Sequence, residues 1–580
     1  RAKWFRFNET YMKEKFKTGQ KIILSGKPTL NKRSGLEIIH PDTEQVSGED
    51  VNSLEIGKIV PVYHVTDGLH LKSMRTIIKN VLDKYLHLIE EFLPDDMIQR
   101  HNFVPRAEAI AQSHFPPEGS SLEELDTFKT LAQRRLVFEE LFLIQLALAF
   151  RKNRAGEEHT GTAFKTRGEL IKRFVKLLPF TLTGAQKKVL GEIMKDLEKK
   201  KPMNRLIQGD VGSGKTIIAL TALLTAVDNG TQSALMVPTE ILAEQHYLNI
   251  RPFCEKLDIE IKLVTSALKG KERKSYLEDI QNGKTQIVIG THSLIQKDIQ
   301  FKKLGLAVID EQHRFGVMQR EAIGKKGNQP HLLIMTATPI PRSLALTLYG
   351  DMDVSLLDEI PPGRQVIATN LFFENRREQA YAIMEKELQQ GRQAFVVCPL
   401  IEESESIDLK AAVTVFDFIQ EKFPNFTACL IHGKLKKEER QNIMSRFLKK
   451  EIQVLVSTTV IEVGIDVPNA TVMIIEHAER FGLAQLHELR GRVGRGIHAS
   501  YCLLMAYHPV SEEGQARMQA MQNSRDGFVI AEEDLKIRGP GDFMGTRQSG
   551  MPLLKIANLL RDIQVLETAR NEAFQLIESD

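Results

Sequence analysis

The sequence predicts a multidomain α/β protein: two tandem parallel-sheet lobes, with a small β domain and a helical connector ahead and a helical tail behind. Three observations predict it. Across residues 180–508 short apolar runs alternate with helical stretches, as in parallel strands buried on both faces and joined by crossovers. The run Gly209-Asp-Val-Gly-Ser-Gly-Lys215-Thr216 falls between the first of these strands and the first helix, where a phosphate loop belongs. The third is length, since 580 residues are too many for one core.

Taken in order, residues 1–66 alternate β-type runs (Lys21–Ser25, Leu36–His40) with Gly, Pro and Asn turns, which predicts small β structure. From Leu71 to Phe150 the apolar spacing becomes helical, through Met74, Ile77, Ile78, Val81 and Leu82 and then one long segment, Leu122–Phe150. The polar stretch Arg151–Gly161 is expected to be a loop. First-lobe strands are predicted at Arg205–Gln208, Ala234–Val237, Gln286–Ile289, Leu306–Ile309 and Leu332–Met335. Pro361-Pro-Gly-Arg364 reads as a hinge. A second series follows at Ala394–Val397, Ala428–Ile431, Val454–Ser457, Val472–Ile475 and Tyr501–Met505. Val510–Asp580 is helical but interrupted by Arg538-Gly-Pro-Gly541 and Gly545–Gly550. The expected divisions are 1–70, 71–165, 166–364, 365–508 and 509–580.

Composition narrows the class. With 42% hydrophobic and 26% charged residues the chain is an ordinary globular protein rather than a disordered or fibrous one. The net charge of +3 decides nothing, but residues 1–35 hold ten Lys or Arg against Glu9 and Glu14, a basic block suited to a polyanion. Cys254, Cys398, Cys429 and Cys502 are scattered without a CxxC pair, so neither a zinc site nor a disulfide framework is expected, and a reducing, cytosolic setting is. The most apolar helical stretch, Leu136–Phe150, contains Glu139, Glu140 and Gln145 and is too short to span a bilayer. No signal peptide is visible. The chain starts with Arg1 rather than Met, so a preceding segment is expected.

The chemistry-bearing residues come from both lobes. The loop glycines, Gly209, Gly212 and Gly214, let backbone N–H groups converge on phosphate oxygens at a helix N-terminus. Lys215 is placed to reach the β- and γ-phosphates and Thr216 to hold Mg²⁺. Asp310 and Glu311 end the strand Leu306–Ile309; the first suits a Mg²⁺ contact and the second the attacking water. In Gln485-Leu-His-Glu-Leu-Arg-Gly-Arg492-Val-Gly-Arg495 the last two arginines are three apart, a spacing that puts both on one helical face and lets both approach a γ-phosphate. They lie in the second α/β pattern, so the nucleotide is expected in a cleft between two lobes, where hydrolysis becomes relative motion.

These residues resemble the superfamily 2 helicases and translocases, and the likeness spans both RecA-like lobes. It extends to Phe180-Thr-Leu-Thr-Gly-Ala-Gln186, where Gln186 is implied to contact the adenine. Thr239 in Pro238-Thr-Glu240 and Thr291 in Gly290-Thr-His292 match the family's nucleic-acid contacts, and Thr336-Ala-Thr338 its coupling motif. In the second lobe His432-Gly-Lys434 and the run Ser457-Thr458 to Gly464-Ile-Asp466 match its backbone-gripping and coupling motifs. Hydroxyls and strand-end amides suit that work because they hold phosphates without reading bases. The flanks resemble RecG, the bacterial branched-DNA helicase. They are Ala307–Gly316, Thr338-Pro-Ile-Pro-Arg342 and Gly527–Gly550, the last resembling the translocation motif that RecG shares with the transcription-repair coupling factor. By position Arg517, Arg538 and Gln548 would form that motif's polar network. Trp4-Phe-Arg-Phe7-Asn-Glu-Thr-Tyr11, Ile38-Ile-His-Pro41, Pro61–Leu69 and His114-Phe-Pro116 resemble the later strands of RecG's OB-like wedge and its helical connector. Phe7 and Tyr11 are the candidates for stacking on bases at a junction, with barrel-core packing the alternative for each.

The resemblance implies a monomeric, ATP- and Mg²⁺-dependent DNA translocase that remodels stalled replication forks and Holliday junctions in recombination and repair. It further implies a cytoplasmic, nucleoid-associated bacterial enzyme, with a single-stranded-DNA-binding protein as candidate partner and no membrane. Against the family pattern the first wedge strands are absent, which leaves an incomplete barrel, and the C-terminus stops short. Rival readings are a duplex translocase that displaces a bound protein, an ATP-gated nucleic-acid clamp, and an RNA helicase.

Overall fold

The computed structural model describes residues 1–45 except 6, 8 and 32–34; 58–157 except 67; 161–311 except 267; 322–336 except 325 and 328; 341, 344 and 345; 352–361; 365–399; 405–458; 467–538; and 554–579. These residues form two compact units, Arg1–Leu141 and Phe142–Asp580.

In the first unit β1 (Ala2–Lys3), β3 (Pro28–Asn31) and β4 (Gly35–Ile39) make a three-stranded sheet in the order β1-β4-β3. Strands β2 (Ile22–Ser25) and β5 (Asp42–Gln45) pair antiparallel. A helix over Glu9–Lys15, absent from the sequence reading, joins β1 to β2. The helices Leu71–Tyr85, Asp95–His101, Arg106–His114 and Leu122–Asp126 follow. Arg135, fully buried, pairs through its two terminal nitrogens with Glu91 at 2.6 Å and Glu139 at 2.8 Å.

Two expectations fail in the helical connector. Leu122–Phe150 is not one helix: the first helix stops at Asp126, Phe128 takes a φ of +57°, and a new helix runs Leu131–Glu157. The local reason lies in the hydroxyls. Thr127 Oγ1 donates back to the Glu123 carbonyl at 2.6 Å, and Thr130 Oγ1 accepts the N–H of Gln133 at 3.2 Å, an N-cap. The loop expected at Arg151–Gly161 is helical through Glu157. Lys152 in it finds partners far away in sequence, pairing with Asp353 at 2.7 Å and lying over the Phe574 ring.

The first lobe is a seven-stranded, wholly parallel sheet. Its strands are β6 (Asn204–Gly209), β7 (Gln232–Met236), β8 (Ile261–Val264), β9 (Ile287–Gly290), β10 (Leu304–Ile309), β11 (His331–Thr336) and β12 (Asp353–Leu357), in the order β12-β6-β11-β10-β7-β9-β8. The strands are buried on both faces. Ile207, Leu235, Ile289, Val308 and Leu333 belong to one core, while Leu206, Ala234, Val288, Ala307 and Ile334 belong to the other. The second lobe repeats the plan with β13 (Ile367–Phe373), β14 (Gln393–Cys398), β15 (Ala428–Ile431), β16 (Val454–Thr458), β17 (Ala470–Ile475) and β18 (Ser500–Ala506), all parallel, in the order β13-β18-β17-β14-β16-β15. The strands the sequence did not reveal, β8, β12 and β13, are edges; β12 and β13 are only partly buried and mix polar with apolar residues, and Lys262 interrupts the short apolar run of β8.

Beyond β18, helices Glu512–Asn523 and Gly527–Arg538 form a hairpin, and Ile563–Ser579 ends the chain. The glycine-rich interruption after Arg538, with Gln548, lies outside the described residues. No described helix is long and apolar enough to cross a membrane.

The strand that leads into the phosphate loop is anchored electrostatically. Arg205, buried in β6, donates to Asp196 Oδ2 through Nε at 2.9 Å and Nη2 at 2.6 Å, and to Ser355 of β12 at 2.7 Å. Asp196→Ala leaves the guanidinium without its main counter-charge, so about 3 kcal/mol of stability should be lost. A urea melt reads it, and a loss under about 0.5 kcal/mol, the size of an ordinary surface change, contradicts the anchor.

Candidate functional site

The first lobe places a phosphate loop and two carboxylates at the carboxyl ends of neighbouring parallel strands, the position where open α/β sheets bind ligands. Gly212 and Gly214 take φ of +80° and +89°, which turns the loop into the N-terminus of the helix Lys215–Asp228. Gly209 is needed for space, since a Cβ there would come within 2.6 Å of Ser213 Oγ and 2.8 Å of the Leu357 side chain. The Lys215 ammonium donates to the carbonyls of Gly209 at 2.7 Å and Asp210 at 2.9 Å. Burial lowers its pKa; the carboxylates of Asp310, Glu311 and Asp210 pull the other way, and Arg495 adds to the lowering.

Asp310 and Glu311 follow the end of β10. Burial pushes the Asp310 carboxyl up, but the bond and charge of His246, whose Nε2 lies 3.0 Å from Oδ2, together with Lys215, bring it below the usual range. Burial and the Asp310 carboxylate push Glu311 up to about 7. Its φ of +55° is unusual for a side chain of this kind, a local cost of the sort that gathers at functional sites. Neighbouring carboxyls with pKa values driven apart give one fixed anion and one proton acceptor. Thr216, second in the helix, and Asp310 offer the hard oxygen atoms a Mg²⁺ ion takes. A glycine loop, helix N-terminus, lysine and carboxylate pair fit a magnesium nucleotide.

Gln186 flanks this loop. Gln186 is buried; it accepts the N–H of Thr183 at 3.0 Å and donates to the Ser213 carbonyl at 2.9 Å, tying the upstream element to the phosphate loop. Phe180 is half exposed.

The second lobe brings Arg492 and Arg495 to the same place but not Gln485, and with one further correction. The helix Leu483–Arg490 ends at Gly491, so the two arginines do not share a helical face. They leave from the turn after it, where Gly494 takes a φ of +74°. Arg492, 5% exposed, pairs with Glu488 at 2.9 Å, and burial with the nearby Arg495 lowers its pKa against the pull of Glu488 and Glu311. Arg495 Nε donates to the Gly491 carbonyl at 3.0 Å. Gly491 faces Val211 of the phosphate loop so closely that a Cβ would sit 3.0 Å from it. The arginines of one lobe and the carboxylates of the other therefore share one electrostatic site. Gln485 is exposed and caps its own helix by accepting the Gly482 N–H at 3.1 Å.

The hairpin is fastened to the start of that same helix. Arg517 Nη2 donates to the Glu479 carbonyl at 3.1 Å. Arg538 Nε donates to Asp534 Oδ1 at 3.0 Å, and its Nη2 lies where a Cβ on Gly482 would fall. Asp534 is 1% exposed; burial raises its pKa, while Arg538 and the Leu483 N–H oppose. Asp534, His246, Asp210, His487 and Arg490 escaped the sequence reading, because nothing local distinguishes them from surface charges.

The remaining predicted contacts are spread along the strand ends. Thr239 Oγ1 accepts the Leu242 N–H as a helix cap and lies with Pro238, Thr291 and His292 on a cavity of about 200 Å³, whose opposite wall is Arg440 and Gln441 of the second lobe. Thr291 and Thr458 are buried, Thr291 capping the turn at His292–Ile295. His432 follows β15, its pKa lowered by burial and by Lys434. Phe7 is exposed. The Tyr11 side chain, Thr338, Gly464 and Asp466 lie outside the described residues.

Two parallel-sheet lobes that close a phosphate loop, a carboxylate pair and two arginines into one site define a two-lobed nucleotide-driven motor of the helicase class. Family models agree along the chain: the RecG wedge domain over residues 2–84, DEAD/DEAH box helicase over 183–347, the helicase conserved C-terminal domain over 377–496, and the C-terminal part of RecG domain 3 over 524–580. The chain belongs to the RecG family of ATP-dependent DNA helicases. It is 45% identical to RecG of Synechocystis over 97% of this chain and 67% of that one, and 45% identical to RecG of Bacillus subtilis over 99% and 82%. The solved structure of RecG bound to a three-way DNA junction matches with a TM-score of 0.72 at 40% identity, over 98% of this chain and 73% of that one.

Proposed function

We propose that this chain uses ATP to pull duplex DNA past its wedge domain, and so remodels branched DNA by regressing stalled forks and migrating Holliday junctions. One observation carries the reading. The hairpin arginines 517 and 538 grip residues 479–482, and the helix that follows ends beside the phosphate loop and delivers Arg492 and Arg495. A change in the nucleotide site thus has a mechanical path to the hairpin.

In this reading Lys215 and the loop N–H groups hold the β- and γ-phosphates, with Thr216 and Asp310 holding Mg²⁺. Bound Mg²⁺ neutralises charge on the phosphates. Glu311 accepts the proton of the attacking water, Arg492 and Arg495 stabilise the charge that develops, and Gln485 joins them only if its end of the helix swings toward the nucleotide. Phe180 and Gln186 seat the adenine, and Gly464 and Asp466 approach the nucleotide from the second lobe. Thr239, Thr291, His432 and Thr458 mark strand ends whose amides and hydroxyls hold DNA phosphates. Residues 1–70 act as the wedge, with Tyr11 and the exposed Phe7 stacking on junction bases. Residues 71–165 connect it to the lobes at 166–364 and 365–508, and Arg517, Arg538 and Gln548 of 509–580 form the polar network that links the hairpin to a loop crossing the duplex path. Support for a branched substrate comes from the wedge-domain match and from the junction-bound relative.

ATP-dependent unwinding of a model fork beside a linear duplex of equal length, with ATPase followed in the same samples, tests it. Fork-selective unwinding is expected. Robust ATPase on both DNAs without strand separation would make the protein a plain duplex translocase.

A further inference from the structure

The helix Leu483–Arg490 makes a second connection between the lobes, through Asp210 of the phosphate loop and two residues, His487 and Arg490, that have no role in the nucleotide chemistry above. Asp210 follows the first glycine of the phosphate loop. Its Oδ1 accepts the Val211 N–H at 2.6 Å and lies 2.7 Å from Nε2 of His487. His487 is 5% exposed, and its Nδ1 lies 2.9 Å from Nη2 of Arg490. A guanidinium has only donors, so Nδ1 is the acceptor and the imidazole is the neutral Nε2–H form, its proton directed at Asp210. The partners fix the tautomer. Arg490 donates its other N–H bonds to the carbonyls of Met521 at 3.1 Å, Ser524 at 2.8 Å and Arg525 at 3.2 Å. Those carbonyls form the turn of the hairpin.

We propose that Asp210, His487 and Arg490 form a polar strut that carries movements of the phosphate loop into the hairpin turn, with His487 as the positioning residue at its centre. His487 and Arg490 are buried, Asp210 is partly so, and each linking atom is bonded, so the members hold one geometry. It has little slack, because the backbone beside it at Gly491 already abuts Val211. Arg517 and Arg538 hold the hairpin elsewhere along its helices. A body gripped at its turn and along its length is rotated as a unit rather than merely dragged.

The proposal rests on the motor reading but not on branched substrates, so the test uses displacement of a third strand from a linear duplex, normalised to ATP hydrolysed in the same samples. His487→Ala should lower displacement per ATP about tenfold, the scale of a buried hydrogen bond to a charged group. Asp210→Ala added to it should cost under about twofold more, since both changes break one link. His487→Gln offers one donor and one acceptor, as the neutral imidazole does, and should recover most of the coupling. Equal loss of ATPase and displacement in the Ala variant, additive effects in the double variant, or a Gln variant as uncoupled as the Ala variant each overturn the proposal.

Discussion

Lys215→Ala is expected to lower ATP turnover by at least about 10²–10³-fold while leaving fork binding intact. The magnitude follows from removing a preorganised charge from a site where catalysis is positioning plus electrostatics. Among the described residues the ammonium bonds to carbonyls of its own loop, at Gly209 and Asp210, so the lobe keeps its core when it is removed. DNA affinity comes from phosphate contacts made by other residues and is salt-dependent in its own right. Steady-state ATPase, fork binding at two salt concentrations and a thermal melt together read the result. Retained hydrolysis sinks the assignment of the loop, and so does a variant that no longer folds.

Arg538→Ala should separate hydrolysis from movement. The side chain bonds Asp534, which receives the Leu483 N–H at the start of the helix that delivers Arg492 and Arg495. Removing the guanidinium leaves a buried carboxyl with one partner fewer and takes away the hairpin's contact with Gly482, leaving Arg517 on Glu479. A charge-assisted bond of this kind is worth about 1.5–3 kcal/mol, or roughly tenfold to a hundredfold in a coupled rate. DNA-stimulated ATPase should stay within about threefold, because Arg538 lies outside the nucleotide site, while fork unwinding falls by the larger factor. Proportional loss of both activities would argue that Arg538 supports the fold and nothing more.

The alternating apolar runs of both lobes lie where the strands are, because a strand buried on both faces must be apolar along its length, and that is a local property. The phosphate loop is legible for the same reason: glycines, lysine and hydroxyl act within one turn of chain. Edge strands such as β13, half-exposed throughout, leave no such trace.

Local pattern also misled. Three-residue spacing put Arg492 and Arg495 on one helical face, but Gly491 ends the helix and a turn presents them. Polarity at 151–157 suggested a loop, yet Lys152 finds Asp353 across the fold and the helix continues. By itself, then, the sequence determined the two-lobed parallel architecture, the phosphate loop and the family likeness, all written in contiguous residues. Only the tertiary structure decided that Asp210 meets His487, 277 residues away, that His246 holds Asp310, and that Asp534 and Arg538 fasten the hairpin. Such pairings depend on where two distant elements are brought together, and a buried charge gains its partner only once the chain between them has folded.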